Sequence, residues 1–192
     1  MLDYDAEAPT YDGKRGGTAR AAAAADALSG LLRSGPVLDV AGGTGIVGEQ
    51  LRQRGVPILV ADRSAGMLAK AAGRLPGCVV QADGARIPFG DGVLGGVVMI
   101  WLLHLVPDVR PFIAEAARSL RVGGVLLTTV DKAAAHGWGQ PGEGPDAPAR
   151  VASIAIEHGL SECGRTRFTG HGMGRDGNAD PVFDVRSFER VR

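Results

Sequence analysis

Apolar positions along the chain fall into short continuous runs, and the segments between them repeat at helical spacing. VLDVA (37–41), PILVAD (57–62), CVVQAD (78–83), VVMIW (97–101) and VLLTTV (125–130) read as five strands. Between them, GIVGEQLRQRG (45–55) places Ile46, Val47 and Leu51 on one side. Ser64 is positioned to cap SAGMLAKAAGRL, where Met67, Leu68 and Ala71 face inward, and DVRPFIAEAARSL (108–120) gathers Phe112, Ile113, Ala116 and Leu120. Continuous apolar strands alternating with helices predict a parallel sheet covered on both faces. TRFT (166–169) and VFDVRSFE (182–189) alternate instead, which suits an antiparallel edge pair.

At the N-terminal end, Thr18 is expected to cap a helix from about Ala19 to Leu32, with the alanine run 21–25 supplying high helix propensity and Ser34–Pro36 stopping it. Residues 1–17, carrying Tyr4 and Tyr11, read as a mobile or ligand-covering arm. AAAHGWGQPGEGPDAPA (133–149) reads as a flexible loop or lid, and a helix is expected over 150–158. The expectation is one doubly wound, Rossmann-like α/β domain over 1–192. It comprises an arm and helix (1–33), a core (36–131), a flexible loop (132–150) and a C-terminal helix with its strand pair (151–192).

Composition narrows the function classes. The chain has 192 residues, 45% apolar and 22% charged, with formal net charge +0. That is ordinary for a globular protein, with no global field favouring nucleic acid or acidic membranes. Cys78 and Cys163 form no CxxC pair and read as reduced thiols. No apolar segment reaches membrane-spanning length and the N-terminus is acidic, so cytoplasmic is the expected location. Four histidines without paired short spacing predict no metal site.

The chemistry concentrates at VLDVAGGTGIVGEQL (37–51), a strand, glycine turn and helix start. Ligands bind in open α/β sheets at this carboxyl end, and the free N–H groups of the helix start offer partial positive charge. Gly43–Gly48 formally fits GxGxxG, and Asp62 lies 19 residues after Gly43, near the spacing of a ribose-binding acid. Taken alone, that favours NAD. Asp39, inside the strand, is awkward beside a pyrophosphate but suits a ligand with an ammonium group. Asp83, ending the third strand, can accept from an adenine amine.

Together VLDVAGGTG, VADRSAGML, QADGARIPFGDG, WLLHLVPDV and LRVGGVLLTTV, in that order, resemble the class I S-adenosylmethionine-dependent methyltransferases over 37–130. The arm YDAEAPTYD is similar to the tyrosine-bearing segment of small-molecule members. Ala41 stands where the commonest form of the first motif has glycine; the AGGTG form is familiar in the quinone-biosynthesis branch.

The resemblance implies S-adenosyl-L-methionine as cofactor and a small-molecule acceptor, without nucleic acid or membrane; a homodimer is a further possibility. It implies that Ala41, Gly42, Gly43, Thr44 and Gly45 line the methionine part, with Asp39 favouring its ammonium. Asp62 would accept the ribose hydroxyls, Arg63 and Met67 would flank adenine, and Asp83, Gly84 and Ala85 would read it. Tyr4, Tyr11 and Arg15 would cover the cofactor from the arm, with Arg15 pairing with its carboxylate.

Trp101 would wall the methyl-transfer site, or pack beneath the lid. His104 is the candidate general base, since an ordinary imidazole pKa suits deprotonating an acidic hydroxyl; its alternative is a structural role. Asp131 and His136 lie within reach of the substrate, and His158 and His171 lie farther along. Competing readings are an NAD(P)-dependent oxidoreductase and a non-methylating member of the same fold. The former lacks a recognisable Tyr-x-x-x-Lys.

Overall fold

A computed structural model describes residues 2–174 and 179–192. In chain order the elements are α1 (Tyr4–Glu7), α2 (Tyr11–Lys14), α3 (Gly17–Ser29), β1 (Val37–Val40), α4 (Ile46–Gln53), β2 (Ile58–Asp62), α5 (Ala65–Arg74) and β3 (Val79–Gln81). They continue with β4 (Leu94–Met99), a 3₁₀ turn (Leu103–Leu105), α6 (Arg110–Ser119), β5 (Leu120–Val130), α7 (Lys132–Ala135), α8 (Pro148–Glu157), β6 (Leu160–Thr169) and β7 (Val182–Arg190).

The strands form one seven-stranded sheet, ordered β3-β2-β1-β4-β5-β7-β6. Strands β1 to β5 pair in parallel, and β7 runs antiparallel to both β5 and β6. The order reverses between β1 and β4, and that switch point opens a crevice at the carboxyl ends of the strands.

Side chains alternate across each strand, so two cores form. On one face Val37, Ile58, Val60, Val98 and Leu127 pack against Ala21, Ala24, Ala25 and Leu28 of α3 and Val47 and Leu51 of α4. On the other, Leu38, Val40, Val97, Met99 and Leu126 meet Ile113 and Ala116 of α6 and Val151 and Ile154 of α8. Asp39 follows the same alternation: it shares the parity of Val37, and β1 is buried along its whole length. A carboxylate therefore enters an otherwise apolar stripe.

Several expected boundaries shift. α3 begins at Gly17, with Gly16 in the left-handed region (φ 77°) as N-cap and no side-chain cap bond, so Thr18 is a helical residue and not the cap. β4 ends at Met99, and Trp101 lies beyond it in the left-handed region (φ 59°). β5 begins at Leu120, before the run expected at 125–130, with an irregular register opposite Leu94 and Gly96. The arm folds as α1 and α2, and α7 with its following turns occupies the segment read as a loop. The Ser64 cap holds: its Oγ accepts from the Met67 N–H at 3.0 Å.

Candidate cofactor site and acceptor mouth

The loop after β1 carries three left-handed residues in five: Ala41 (φ 56°), Gly43 (φ 56°) and Gly45 (φ 72°). The turn is tied to β2 from two directions. Gly42 N–H donates to the Ala61 carbonyl at 3.2 Å, and Gly43 N–H donates to Asp62 Oδ2 at 2.9 Å. The other Asp62 oxygen accepts from Ser64 N–H at 2.9 Å. Each carboxylate oxygen offers two acceptor sites, so capacity remains for two further donors, the number a ribose diol presents.

Asp39 lies beneath this loop. A Cβ added at Gly42 would sit 2.7 Å from its Oδ2, so glycine there lets the turn settle directly on the carboxylate. Asp39 is 3% exposed, and no hydrogen-bond donor among the described residues reaches its carboxylate. Burial, and then the neighbouring charge of Asp62, raise its pKa to about 7. A buried acid left in this condition is stabilised by a cationic donor.

The adenine-side candidates gather at the end of β3. Asp83 Oδ1 accepts from Ala85 N–H at 3.0 Å, closing a tight turn and leaving the second oxygen available. Gly84 is pressed onto Val40, where a Cβ would approach to 2.7 Å. Met67 is buried, and its Sδ lies 3.9 Å from where a Gly43 Cβ would be, so it supports the glycine turn from below. Arg63 is exposed; its carbonyl accepts from Gln81 Nε2 at 2.9 Å.

The arm docks across the crevice through contacts the sequence did not announce. Asp5 accepts from Ser64 Oγ at 2.5 Å and Gly66 N–H at 2.8 Å. Asp12 accepts from Thr44 Oγ1 at 2.6 Å and pairs with Arg74 at 2.7 Å, while Arg74 also donates to the Thr44 carbonyl. Tyr4 and Tyr11 lie 6.2 Å apart, and the Arg15 guanidinium is 5.5 Å from the Tyr11 ring centroid. The Tyr4 pKa is raised, mainly by burial. The hollow between Asp12, Arg15, Arg20, Val47 and Trp101 measures only about 10 Å³, so the arm fills the crevice mouth.

At the ends of β4 and β5 lies a second group. The Trp101 indole makes edge contacts with Phe168 and Phe183 at 5.6 and 5.5 Å, and the Arg20 guanidinium sits 3.7 Å over it. His104 Nε2 is 2.8 Å from Lys132 Nζ. Burial and the adjacent Lys132 lower the His104 pKa to about 3, so the ordinary imidazole value expected from sequence does not hold and the ring is neutral near pH 7. Lys132 is lowered to about 8 by burial and by the charges of Arg15 and Arg20. The proton of this pair therefore resides on Lys132, which donates to His104.

Asp131 lies close by but is turned into the loop, accepting from Gly142 N–H at 3.0 Å. His136 stacks on Trp138 at 4.1 Å and contacts Phe183. His158 caps α8 and His171 lies 3.8 Å from Asp180, both outside this group. No cluster of three or more His, Cys, Asp or Glu side chains suited to a metal occurs among the described residues.

Sequence reasoning missed Arg20 and Lys132. A signal for Arg20 existed: it precedes Ala24 by four residues and so falls on the buried stripe of α3, a charge in an apolar position. Lys132 had only its place directly after β5 and Asp131 to mark it.

Residues 38–128 match the family model described as a methyltransferase domain. A demethylmenaquinone methyltransferase of Thermobifida fusca is 39% identical over 111 residues, covering 55% of this chain and 45% of that protein. The chain thus spans less than half the length of that curated relative. Among solved structures, the CcbJ methyltransferase of Streptomyces caelestis superposes with TM-score 0.72 at 18% identity, over 97% of this chain and 96% of that one. The glycopeptide N-methyltransferase MtfA, solved with S-adenosylmethionine, gives 0.68 at 19% identity over 87% and 93%. At these identities the shared property is the fold. Among the described residues no helix is long and apolar enough to cross a membrane.

Proposed function

We propose, starting from a chain whose residues 38–128 match a methyltransferase domain, that it binds S-adenosylmethionine above β1–β3 and methylates a small organic acceptor. The carrying observation is Asp39, a buried carboxylate without a donor, set under Gly42 and beside Asp62. Two acids beneath one glycine turn repel a pyrophosphate and attract an ammonium and a ribose diol. This weighs against the dinucleotide reading of the same turn.

Bound there, S-adenosylmethionine supplies an electrophilic sulfonium methyl. The residues of the chain orient and enclose it. Asp39 holds the ammonium, and Asp62 accepts from the ribose while fixing the Gly43 amide. The free oxygen of Asp83 accepts from the adenine amine, and Gly84 and Ala85 offer backbone groups to the ring. Arg15 meets the carboxylate, and the arm excludes water. Trp101 walls the side from which the acceptor approaches. Alignment of acceptor and methyl in such an enclosure contributes on the order of 7–11 kcal/mol when the geometry is near-attack. Lys132, which keeps its proton near pH 7 and is positioned by His104, favours the ionised form of an acidic acceptor. Relatives named demethylmenaquinone methyltransferases make a demethylated quinone or its reduced form the first acceptor class to try.

Calorimetry with S-adenosylmethionine, its demethylated product S-adenosylhomocysteine and NAD tests the cofactor assignment. Heat from the first two and none from NAD is expected; uptake of NAD alone would overturn it. Transfer of radiolabelled methyl to phenolic and quinol acceptors separates methyl transfer from mere cofactor binding.

A further inference from the structure

We propose that the acceptor mouth, which the arm fills in this structure, seats an oxyanion of the substrate, a carboxylate or a phosphate, on Arg20 and Lys132 when the arm is displaced; this rests on the methyl-transfer reading above. Arg20 is 8% exposed, yet no carboxylate among the described residues forms an ion pair with it. Its guanidinium carbon lies 3.7 Å from the Trp101 ring centroid, so the indole covers one side of the group and its N–H donors remain for a ligand. The Tyr11 hydroxyl hydrogen-bonds part of that N–H edge. The edge is planar and forked, the geometry that grips carboxylate and phosphate through two parallel bonds.

The nearby acids are committed elsewhere. Asp12 holds Thr44 and Arg74, Asp131 accepts from Gly142 N–H, and Asp146 accepts from the Lys132 backbone N–H at 2.9 Å. The Lys132 ammonium lies 2.8 Å from the neutral His104 imidazole, and Asp146 acts on it only through its charge. Arg15 and Arg20 both press on Lys132 and depress its pKa, and burial depresses that of Arg20 to about 10. Three cations thus lie near one another, and the carboxylates close to them among the described residues, Asp12 and Asp146, are already engaged by other donors. Holding buried cations together in this way is unfavourable until an anion joins them. Trp101, with Phe168 and Phe183 packed behind it, provides an aromatic wall beside this charge, so an aromatic oxyanion satisfies both features.

One other source of the same chemistry is the carboxylate of the cofactor itself, and the test separates the two. Benzoate, phenyl phosphate and benzyl alcohol are titrated calorimetrically into the full chain, both unloaded and saturated with S-adenosylhomocysteine. The expected result is that at least one of the two anions binds the loaded protein tenfold or more tighter than benzyl alcohol. Arg20→Met and Lys132→Met are each expected to erase most of that preference while leaving S-adenosylhomocysteine affinity within about threefold. Equal affinity for anion and alcohol would overturn the proposal. So would loss of benzoate and phenyl phosphate binding on loading together with weakened S-adenosylhomocysteine binding by Arg20→Met, which would assign Arg20 to the cofactor. Circular dichroism checks that Arg20→Met folds; Lys132→Met, at a half-buried position, carries the comparison if it does not. Absence of S-adenosylhomocysteine binding would remove the methyl-transfer reading alone, and the unloaded arm would still judge the oxyanion seat.

Discussion

Replacing Asp39 by asparagine sets stability against ligand binding, and the two are expected to move in opposite directions. In the folded chain burial and Asp62 raise the Asp39 pKa to about 7, against an ordinary 3.8. Between those values the native state holds a proton that the unfolded chain has released. Stability therefore falls as pH rises from 3.8 to about 7 and levels off above. At about 1.36 kcal/mol per pH unit, the full effect is about 4 kcal/mol by pH 8. The amide of the Asp39→Asn variant does not titrate, so the stability difference between variant and wild type should widen by about 3 kcal/mol in favour of the variant from pH 5 to pH 8. Any fixed penalty for burying the amide cancels from this widening, as do all other titrating groups shared by the two proteins. Urea unfolding of both ligand-free proteins across that range reads it directly. Calorimetry at pH 8 should show S-adenosylmethionine affinity of the variant reduced about 10- to 100-fold, the range for losing a hydrogen bond to a charged group. A stability difference that stays flat with pH would refute the buried-acid reasoning; undiminished affinity would refute the ammonium assignment.

Asp62→Ala is expected to weaken S-adenosylmethionine more than tenfold, because it removes the ribose acceptor and frees Gly43 N–H and Ser64 N–H together; calorimetry with unchanged affinity would dismiss the ribose role. Gly42→Ala drives a Cβ to within 2.7 Å of Asp39 Oδ2 and 3.0 Å of Val60, so the turn must lift. A tenfold or greater loss of cofactor affinity is expected, and wild-type affinity would show the carboxylate is not held against the turn. Asp12→Ala breaks the clasp to Thr44 and Arg74; faster proteolysis within residues 2–16 and faster cofactor association by stopped flow are expected, and unchanged rates for both would count against the arm as cover. Ala41→Gly relieves a left-handed alanine, a strain of about 1–2 kcal/mol, against about 0.4–1 kcal/mol of added chain entropy. A small gain in thermal stability is expected, and a clear loss would contradict the backbone assignment at Ala41.

Periodicity located each strand of the sheet and its connecting helices because those signals are local, although β5 and β6 begin five and six residues before the expected runs at Val125 and Thr166. Each of β1, β2, β4 and β5 is a buried apolar run, and each connecting helix repeats its apolar residues at three and four. Asp39 and Asp62 were legible for the same reason, as charges standing at strand positions. The arm was not. Its docking depends on Asp5 meeting Ser64 and Asp12 meeting Arg74 across 59 and 62 residues, and no spacing rule connects such positions. Thr18 was misplaced as a cap because its residue type outweighed, on paper, the left-handed freedom of Gly16. The His104 expectation failed through a neighbour 28 residues away: Lys132 and burial together lower a value that the residue type alone places near neutrality.

The non-glycine residues with positive φ among those described are Ala41, Trp101 and Asp131, and they follow β1, β4 and β5. These are the central parallel strands around the switch point. Left-handed backbone is unfavourable for side-chain-bearing residues, and it persists where surrounding structure fixes it. Here the fixing contacts can be named: Trp101 N–H donates to Thr129 Oγ1 at 2.8 Å, and Asp131 N–H donates to the Asp146 carbonyl at 3.1 Å. Each abrupt turn releases the chain from the sheet within one or two residues. Each also aims a different group at the crevice: the glycine loop over Asp39, the indole beneath Arg20, and Lys132 toward His104. Relaxing Trp101 or Asp131 into extended backbone would carry the strand onward and swing the following residues away from their partners. The strain at three strand ends is thus the local consequence of assembling cofactor grip, aromatic wall and cationic mouth around a single opening.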